Sequence, residues 1–327
     1  MLTRQDLIED SAKALDKSTA ALIGLAVGDA LGDLGRSQEH RARYGMATNL
    51  TAAAKSTDDT EFALLTARML LDCDGDLTPE AVHRAWQQYI LDQGGVFDRA
   101  GRPLYGAVAN LQRGIQAPLS GHDNVGNDDD GAAMRTTPVG IVCAGDPERA
   151  AQMAKIEAEI SHYGDGISAA QAVASSIAVA MADGSVEEII AAGQEQIPAD
   201  SWLGRSMQRT MDICDQVGSI EDAWEPIHTQ LWTPSHATAA EAIPQIYAIF
   251  RLTAGDFRQG LFWACNFGRD ADTIAAVVGA FTGAMHGMAT IPPAWVDIVR
   301  KPSGVALKFT AQEDIVILAK ELAALIR

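Results

Sequence analysis

Residues 24 to 32 read Gly24-Leu25-Ala26-Val27-Gly28-Asp29-Ala30-Leu31-Gly32, with three glycines spaced four apart. The same spacing returns late in the chain at Gly279, Gly283 and Gly287. Glycine inside a helix costs about 1 kcal/mol relative to alanine, so three in register require a compensating gain. Four-residue spacing lines them on one face, where a neighbouring backbone can come close. The pattern predicts two core helices packed tightly, each with a polar cluster near one end.

Working outward, helical periodicity covers most of the chain. Asp6 to Gly32 reads as a helix pair or one long helix with a break, and Thr60 to Leu71 as a helix whose start holds acidic residues. Asp58 and Glu61 there fit a capping box. Thr78-Pro79-Glu80 opens a helix that runs towards Leu91 and ends at Gly94-Gly95. Further helices are expected over 147–160, 167–182, 186–194, 201–216, 237–253, 257–266, 273–288 and 311–326. Residues 94–138 are rich in glycine and aspartate, with short helical pieces; so long an irregular segment is usually functional. No convincing alternating strand and no Pro- or Ser-rich linker appears. The expectation is one all-α domain over residues 1–327.

Composition agrees. The chain is 47% hydrophobic but only 6% aromatic, which favours close-packed helices over sheets. A formal charge of −18 argues against a general nucleic-acid or acidic-membrane surface. Cys73, Cys143, Cys214 and Cys265 form no CxxC pair and read as buried thiols. Met1 to Leu15 is amphipathic and charged, without an apolar signal core. Ile274 to Ile291 carries no Asp, Glu, Lys or Arg, near the lower length for a membrane span. Its His286, threonines and glycines favour a buried central helix instead, and a cytoplasmic location is the default expectation.

Two acidic motifs stand beside the glycine helices. One is Ser56-Thr57-Asp58-Asp59-Thr60-Glu61 and the other Gly268-Arg269-Asp270-Ala271-Asp272-Thr273. Each puts two carboxylates and a threonine hydroxyl at a helix start. Capping is the plain alternative, since Asp and Thr are ordinary there and the dipole favours negative charge. Two adjacent aspartates plus Glu61 exceed what one cap requires. The second motif lies between apolar helices, where ionised carboxylates are costly unless paired or on a metal. Hard oxygen ligands suit Mg²⁺ or Mn²⁺. A helix N-terminus repels a cation, so several anionic oxygens are needed to hold one there.

Other motifs are weaker. Asn127-Asp128-Asp129-Asp130-Gly131 fails the EF-hand pattern and reads equally as a solvated acidic turn. Arg135 follows it and could pair with a site carboxylate or a ligand phosphate. His162, in Ser161-His162-Tyr163-Gly164-Asp165, fits a capping, core or ligand role. His40, His83, His122, His228, His236 and His286 show no zinc spacing. No GxSxG elbow, P-loop or GxGxxG is present.

In order, the residues 24–32 run, Ser56 to Thr60, Gly131-Ala132-Ala133-Met134-Arg135-Thr136-Thr137-Pro138, Ser161-His162 and Asp270 to Thr273 resemble the ADP-ribosylglycohydrolase family, which includes ADP-ribosyl-dinitrogen-reductase hydrolase. The resemblance spans roughly residues 18–295. It implies a multi-helix orthogonal fold, two Mg²⁺ ions (with Mn²⁺ as the alternative), and cleavage of an N- or O-glycosidic bond at the ribose anomeric carbon. Carried over by motif, Thr57, Asp58, Asp59, Asp270, Asp272 and Thr273 are implied metal ligands, with Asp58, Asp59 and Asp270 in catalysis. Gly131, Ala132, Ala133 and Met134 would line a ribose and diphosphate pocket. His162 and Asp165 would contact the ligand or order the site. Asp98 is the implied acid/base carboxylate, with Asp92 as rival. The sequence departs from the family where a glutamate is common: Arg36 stands there, and Glu39 is the nearest glutamate. Arg269 replaces a common glycine, and Asp128 to Asp130 make the pocket loop more acidic. The implied substrate is an ADP-ribosylated protein or ADP-ribose derivative. A nucleosidase acting on a small neutral riboside and a crystallin-like structural protein are the rivals. No nucleic-acid or membrane partner is expected, and the oligomeric state stays open.

Overall fold

The computed structural model describes residues 2–326; Met1 and Arg327, the ends of the expected domain, lie outside them. Among the described residues the chain is helical, and its strand-like pairing is one isolated antiparallel bridge between Asp129 and Thr238. The all-α expectation is met.

The centre is the pair of glycine-bearing helices, Ser11–Arg36 and Ala271–His286. They pack backbone against backbone. A Cβ at Gly24 would run into the Gly279 carbonyl, one at Gly28 into that of Ala275, and one at Gly32 into that of Ala271. The reverse holds for Gly279 against Gly24 and for Gly283 against Ala20. Each glycine's helix penalty is thus exchanged for close interhelical contact. Gly287 acts differently, ending its helix at φ 74°, a backbone region that costs glycine nothing. Residues from Ala271 to Ala284 are all buried, which accounts for the uncharged stretch without a bilayer. No helix among the described residues is long and apolar enough to cross a membrane.

The other helices wrap this pair. One cluster of buried side chains runs from Leu7 to Ile326. Asp10 breaks the N-terminal stretch into Arg4–Glu9 and Ser11–Arg36; its carboxylate caps the second helix by accepting from Lys13 N at 3.0 Å. Three helices outside the irregular region escaped the periodicity among the described residues, Gln38–Tyr44, Ile220–Leu231 and Pro293–Val299. Ile220–Leu231 has an apolar stripe, Ile220, Ala223, Ile227 and Leu231, but Pro226 interrupts its reading as a helix; the other two are only two turns long. The irregular region also holds a full helix, Arg102–Gln112. All four cysteines are free, three of them buried.

Candidate functional site

Three helix ends meet at the site. Asp58 and Asp59 lie in the first turn of the Asp58–Asp72 helix. Asp270 is the N-cap of Ala271–His286, and Asp272 lies in its first turn. Asp29 comes from the central Ser11–Arg36 helix. Its carboxylate accepts from Thr57 N at 2.6 Å, Thr57 Oγ1 at 2.7 Å, Thr60 N at 3.2 Å and Thr60 Oγ1 at 2.6 Å. The start of the Asp58–Asp72 helix is therefore capped from a neighbouring helix, not by its own side chain. The capping box expected of Asp58 and Glu61 is absent. Glu61 instead accepts from Val305 N, Ala306 N and Leu307 N at 2.8 to 2.9 Å, tying the C-terminal segment to this end.

These carboxylates are buried, and burial sets their protonation. Loss of water, then repulsion from Asp272 and Asp29, pushes the Asp58 carboxyl well above the usual carboxylate range. Burial and the surrounding aspartates do the same to Asp59. Asp29 rises to about 7 and Asp270 to about 8, burial again being the main cause. Asp59 Oδ1, Asp130 Oδ2 and Asp272 Oδ1 are buried with no hydrogen-bond partner.

Above them opens a cavity of about 650 Å³. Asp58, Asp59, Asp270, Thr273, Arg36, Gly131 and Met134 line it, together with residues 99–102, 128–130 and 234–238. Its acidic loop is stitched to the opposite wall: Asp130 N donates to Ala237 O at 2.8 Å and Ala239 N to Asp128 O at 3.0 Å.

Several expectations are corrected. Asp98 is exposed off the cavity wall, its backbone tied to Val305 O, and Asp92 is exposed and bonded to Gln87. Asp130 takes their place on the wall. Its carboxyl is raised well above the ordinary value by burial and by Asp270, Asp129 and Asp59. The solvated-turn reading of residues 127–131 holds for exposed Asp128 but fails for buried Asp129 and Asp130. Ala132 and Ala133 are fully buried behind Gly131. Asp165 accepts from Leu203 N at 3.0 Å and serves a loop junction.

Arg135 meets neither a site carboxylate nor the cavity. It is fully buried, paired with Glu157 at 2.7 Å, with Trp86 and Phe62 beside its guanidinium. Its Nη2 donates to Ser161 Oγ at 2.8 Å. The Ser161 hydroxyl is then free to donate to His162 Nδ1 at 2.8 Å, which leaves Nε2–H to donate to Asp129 Oδ1 at 2.7 Å. His162 thus holds the cavity wall from behind and does not line it.

The six expected metal ligands are brought together, but not as a finished cage. Among the described residues no group of three His, Cys, Asp or Glu side chains is arranged to hold an ion as it stands. Three side chains keep the cage unfinished. The Thr57 hydroxyl is turned to Asp29. Arg36 Nη1 bonds to Asp272 Oδ2 and lies 3.3 Å from Asp270 Oδ1. Arg99 Nη2 adds a contact to Asp272 Oδ2 at 3.2 Å and to Asp33 at 2.7 Å. The donor chemistry still suits a hard divalent cation: orphaned carboxylate oxygens that repel one another are stabilised by such an ion.

Sequence reasoning missed Asp29, Asp130, Arg99 and His236. Asp29 lies inside the glycine run, so its buried polar position on an apolar helix was the available signal. Arg99 and His236 carry none, since cavity-facing residues in loops have no periodicity.

A family model described as ADP-ribosylglycohydrolase matches residues 10–327. An uncharacterized protein of Archaeoglobus fulgidus is 32% identical over 295 residues, covering 86% of this chain and 91% of that protein. The ADP-ribosylarginine hydrolase Tri1 of Pseudomonas putida is 25% identical, covering 88% of this chain and 75% of its own. The ADP-ribosyl-[dinitrogen reductase] glycohydrolase of Rhodospirillum rubrum is 24% identical, with 86% and 89% covered. A solved ADP-ribosylglycohydrolase-related protein complex shares the fold at a TM-score of 0.65 and 22% identity, covering 97% of this chain and all of that one.

Proposed function

The chain belongs to the ADP-ribosylglycohydrolase family and is a glycoside hydrolase; from that premise we propose that it is a Mg²⁺- or Mn²⁺-dependent enzyme that releases ADP-ribose from an ADP-ribosylated protein or small derivative. The observation that carries this is the set of buried, unpartnered oxygens of Asp59, Asp130 and Asp272 in and beneath a nucleotide-sized cavity.

Asp58, Asp59, Asp270, Asp272 and Thr273 would hold the ion, with the Thr57 hydroxyl oxygen beside them. Bound there, a divalent ion supplies Lewis-acid polarisation and an anchor for ribose hydroxyls. Asp130 takes the acid/base place expected of Asp98. Burial and the neighbouring carboxylates raise its carboxyl, which favours the protonated form that can serve a leaving group at the anomeric carbon. The remaining carboxylates favour the positive charge that develops on the ribose ring. His162 fixes Asp129, and so the loop that carries Asp130.

The cavity offers a diphosphate cationic partners among its aspartates. The acidic loop alone would repel an anion, but Arg36, Arg99 and Arg102 share the wall, and guanidinium matches phosphate oxygens in pairs. The test is turnover of ADP-ribosyl-arginine, O-acetyl-ADP-ribose and simple nucleosides, with Mg²⁺ and with EDTA. Cleavage of an ADP-ribose substrate that stops in EDTA is expected. Full activity in EDTA would end the metal assignment, and cleavage of nucleosides alone would end the diphosphate assignment.

A further inference from the structure

The two acidic motifs differ in what already neutralises them. Beside Asp58 and Asp59 no cationic side chain makes a direct contact among the described residues. Asp270 and Asp272 meet two, Arg36 and Arg99. Arg36 leaves the last turn of the central helix and places Nη1 against both carboxylates. Its Nη2 lies 3.0 Å from His236 Nε2. Arginine has no acceptor, so His236 Nε2 accepts and the imidazole is neutral. Arg99 supports the same Asp272 oxygen from the other side while anchored on Asp33.

The guanidinium is therefore held by three separate partners inside a site chemically suited to divalent cations. It stays charged at any pH the fold survives. An ion coordinated by Asp270 Oδ1 and Asp272 Oδ2 would compete for oxygens that Arg36 already occupies. The orphaned oxygens that remain are Asp59 Oδ1, Asp130 Oδ2 and Asp272 Oδ1.

We infer that Arg36 stands in for the second cation: the centre takes one divalent ion, shared by the Asp58–Asp59 motif and the free oxygen of Asp272, while the Arg36 guanidinium serves as the resident positive charge on Asp270 and Asp272. This rests on the metal-dependent reading above and fixes its stoichiometry. Arg36 is a positioning residue here, because it holds the two carboxylates that face the ion and faces the cavity with its remaining surface.

The experiment counts ions without using activity. Metal-stripped wild type, Arg36→Gln and Arg36→Lys are titrated with Mn²⁺ by calorimetry, and electron paramagnetic resonance is recorded at saturation. Circular dichroism and thermal melts confirm that the variants fold. Wild type is expected to bind one Mn²⁺ per chain with an uncoupled six-line spectrum. Arg36→Gln is expected to bind a second ion and to show the broadened spectrum of a coupled pair. Arg36→Lys keeps the charge on a flexible stem and is expected to stay at one. Two ions in wild type would overturn the inference and leave the metal reading standing. One ion in both wild type and a folded Arg36→Gln would overturn it too, since Arg36 would not be what limits the count. No Mn²⁺ bound by wild type or by any variant would instead overturn the metal-dependent reading itself.

Discussion

The Asp58–Asp59 end and the Asp270–Asp272 end look alike in sequence, two aspartates and a threonine opening an apolar helix, yet the fold treats them oppositely. At the first end the helix is capped by Asp29 through four hydrogen bonds, and Asp59 keeps an oxygen with no partner. At the second end two arginines reach Asp272, and Arg36 also lies beside Asp270. One end is an anionic surplus and the other is largely compensated. Similar motifs thus do different work, because the sequence around them differs at Arg36 and Arg99.

The largest expected effect is an opposition of sign between two isosteric substitutions. In metal-free protein, Asp59→Asn removes a buried carboxyl that has no cationic contact, and should raise Tm by about 1–2 °C for roughly 1 kcal/mol gained. Asp272→Asn strips the shared partner from Arg36 and Arg99. Breaking a buried pair costs about 3–5 kcal/mol, and less here because both guanidiniums are about a third exposed, so a loss of about 2 kcal/mol is expected. Differential scanning calorimetry in EDTA reads both. Shifts of the same sign would remove the asymmetry. Both variants should lower turnover at least about 10²-fold with Mg²⁺ present, the scale of losing one preorganised electrostatic group.

A smaller effect follows from protonation. Asp29 and Asp270 rise from 3.8 to about 7 and about 8, and Asp58, Asp59 and Asp130 rise as well. Each binds its proton more tightly folded than unfolded. Between pH 4 and pH 8 the folded chain therefore holds more protons, and linkage makes its stability fall as pH rises through that window. Metal-free Tm should drop from pH 5.5 to pH 8, and the rise in Tm on adding Mg²⁺ should be larger at pH 8, where protons no longer compete. Asp59→Asn should flatten this slope more than Asp98→Asn, whose carboxyl lies outside the cluster. Equal slopes for wild type and Asp59→Asn would mean that the first end carries no surplus charge.

The helical core was readable because its signals are local. Gly24, Gly28, Gly32, Gly279 and Gly283 announced a backbone-close pair, and the contacts with Ala275 and Ala271 are what that spacing predicts. The acidic motifs were readable because two adjacent aspartates exceed a cap's need. Their partners were not. Nothing local says that Asp29 caps the helix that starts at Asp58, that Glu61 holds residues 305–307, or that Arg135 turns inward to Glu157. Those are tertiary pairings, and a charged residue after an apolar run reads the same whether it faces a ligand or the core. Asp98 and Asp130 show the limit most plainly. Both stand in glycine-rich loops, and only the stitching of residues 128–130 to residues 237–239 puts one of them on the cavity wall.

The smallest expected effect tests how the compensated end is held. Arg269 precedes Asp270 at φ 61°, the left-handed region where a side chain costs roughly 1–2 kcal/mol, which is why glycine suits the position. The arginine offsets this through Glu241, to which its Nη2 donates at 3.0 Å, and through Trp232, whose ring centre lies 5.5 Å away. Glu241 in turn accepts from Thr233 N at 2.7 Å and Thr233 Oγ1 at 2.9 Å, fixing the approach to the 234–238 wall. In Arg269→Gly the relief of strain and the loss of the ion pair oppose each other. The net change in stability should stay within about 1 kcal/mol. Adding Glu241→Gln should recover part of any loss, because the uncompensated buried carboxylate is then gone while the two Thr233 contacts can persist through its amide oxygen. A loss of several kcal/mol in Arg269→Gly, unrelieved by Glu241→Gln, would show that Arg269 holds the second end by some contact other than this pair.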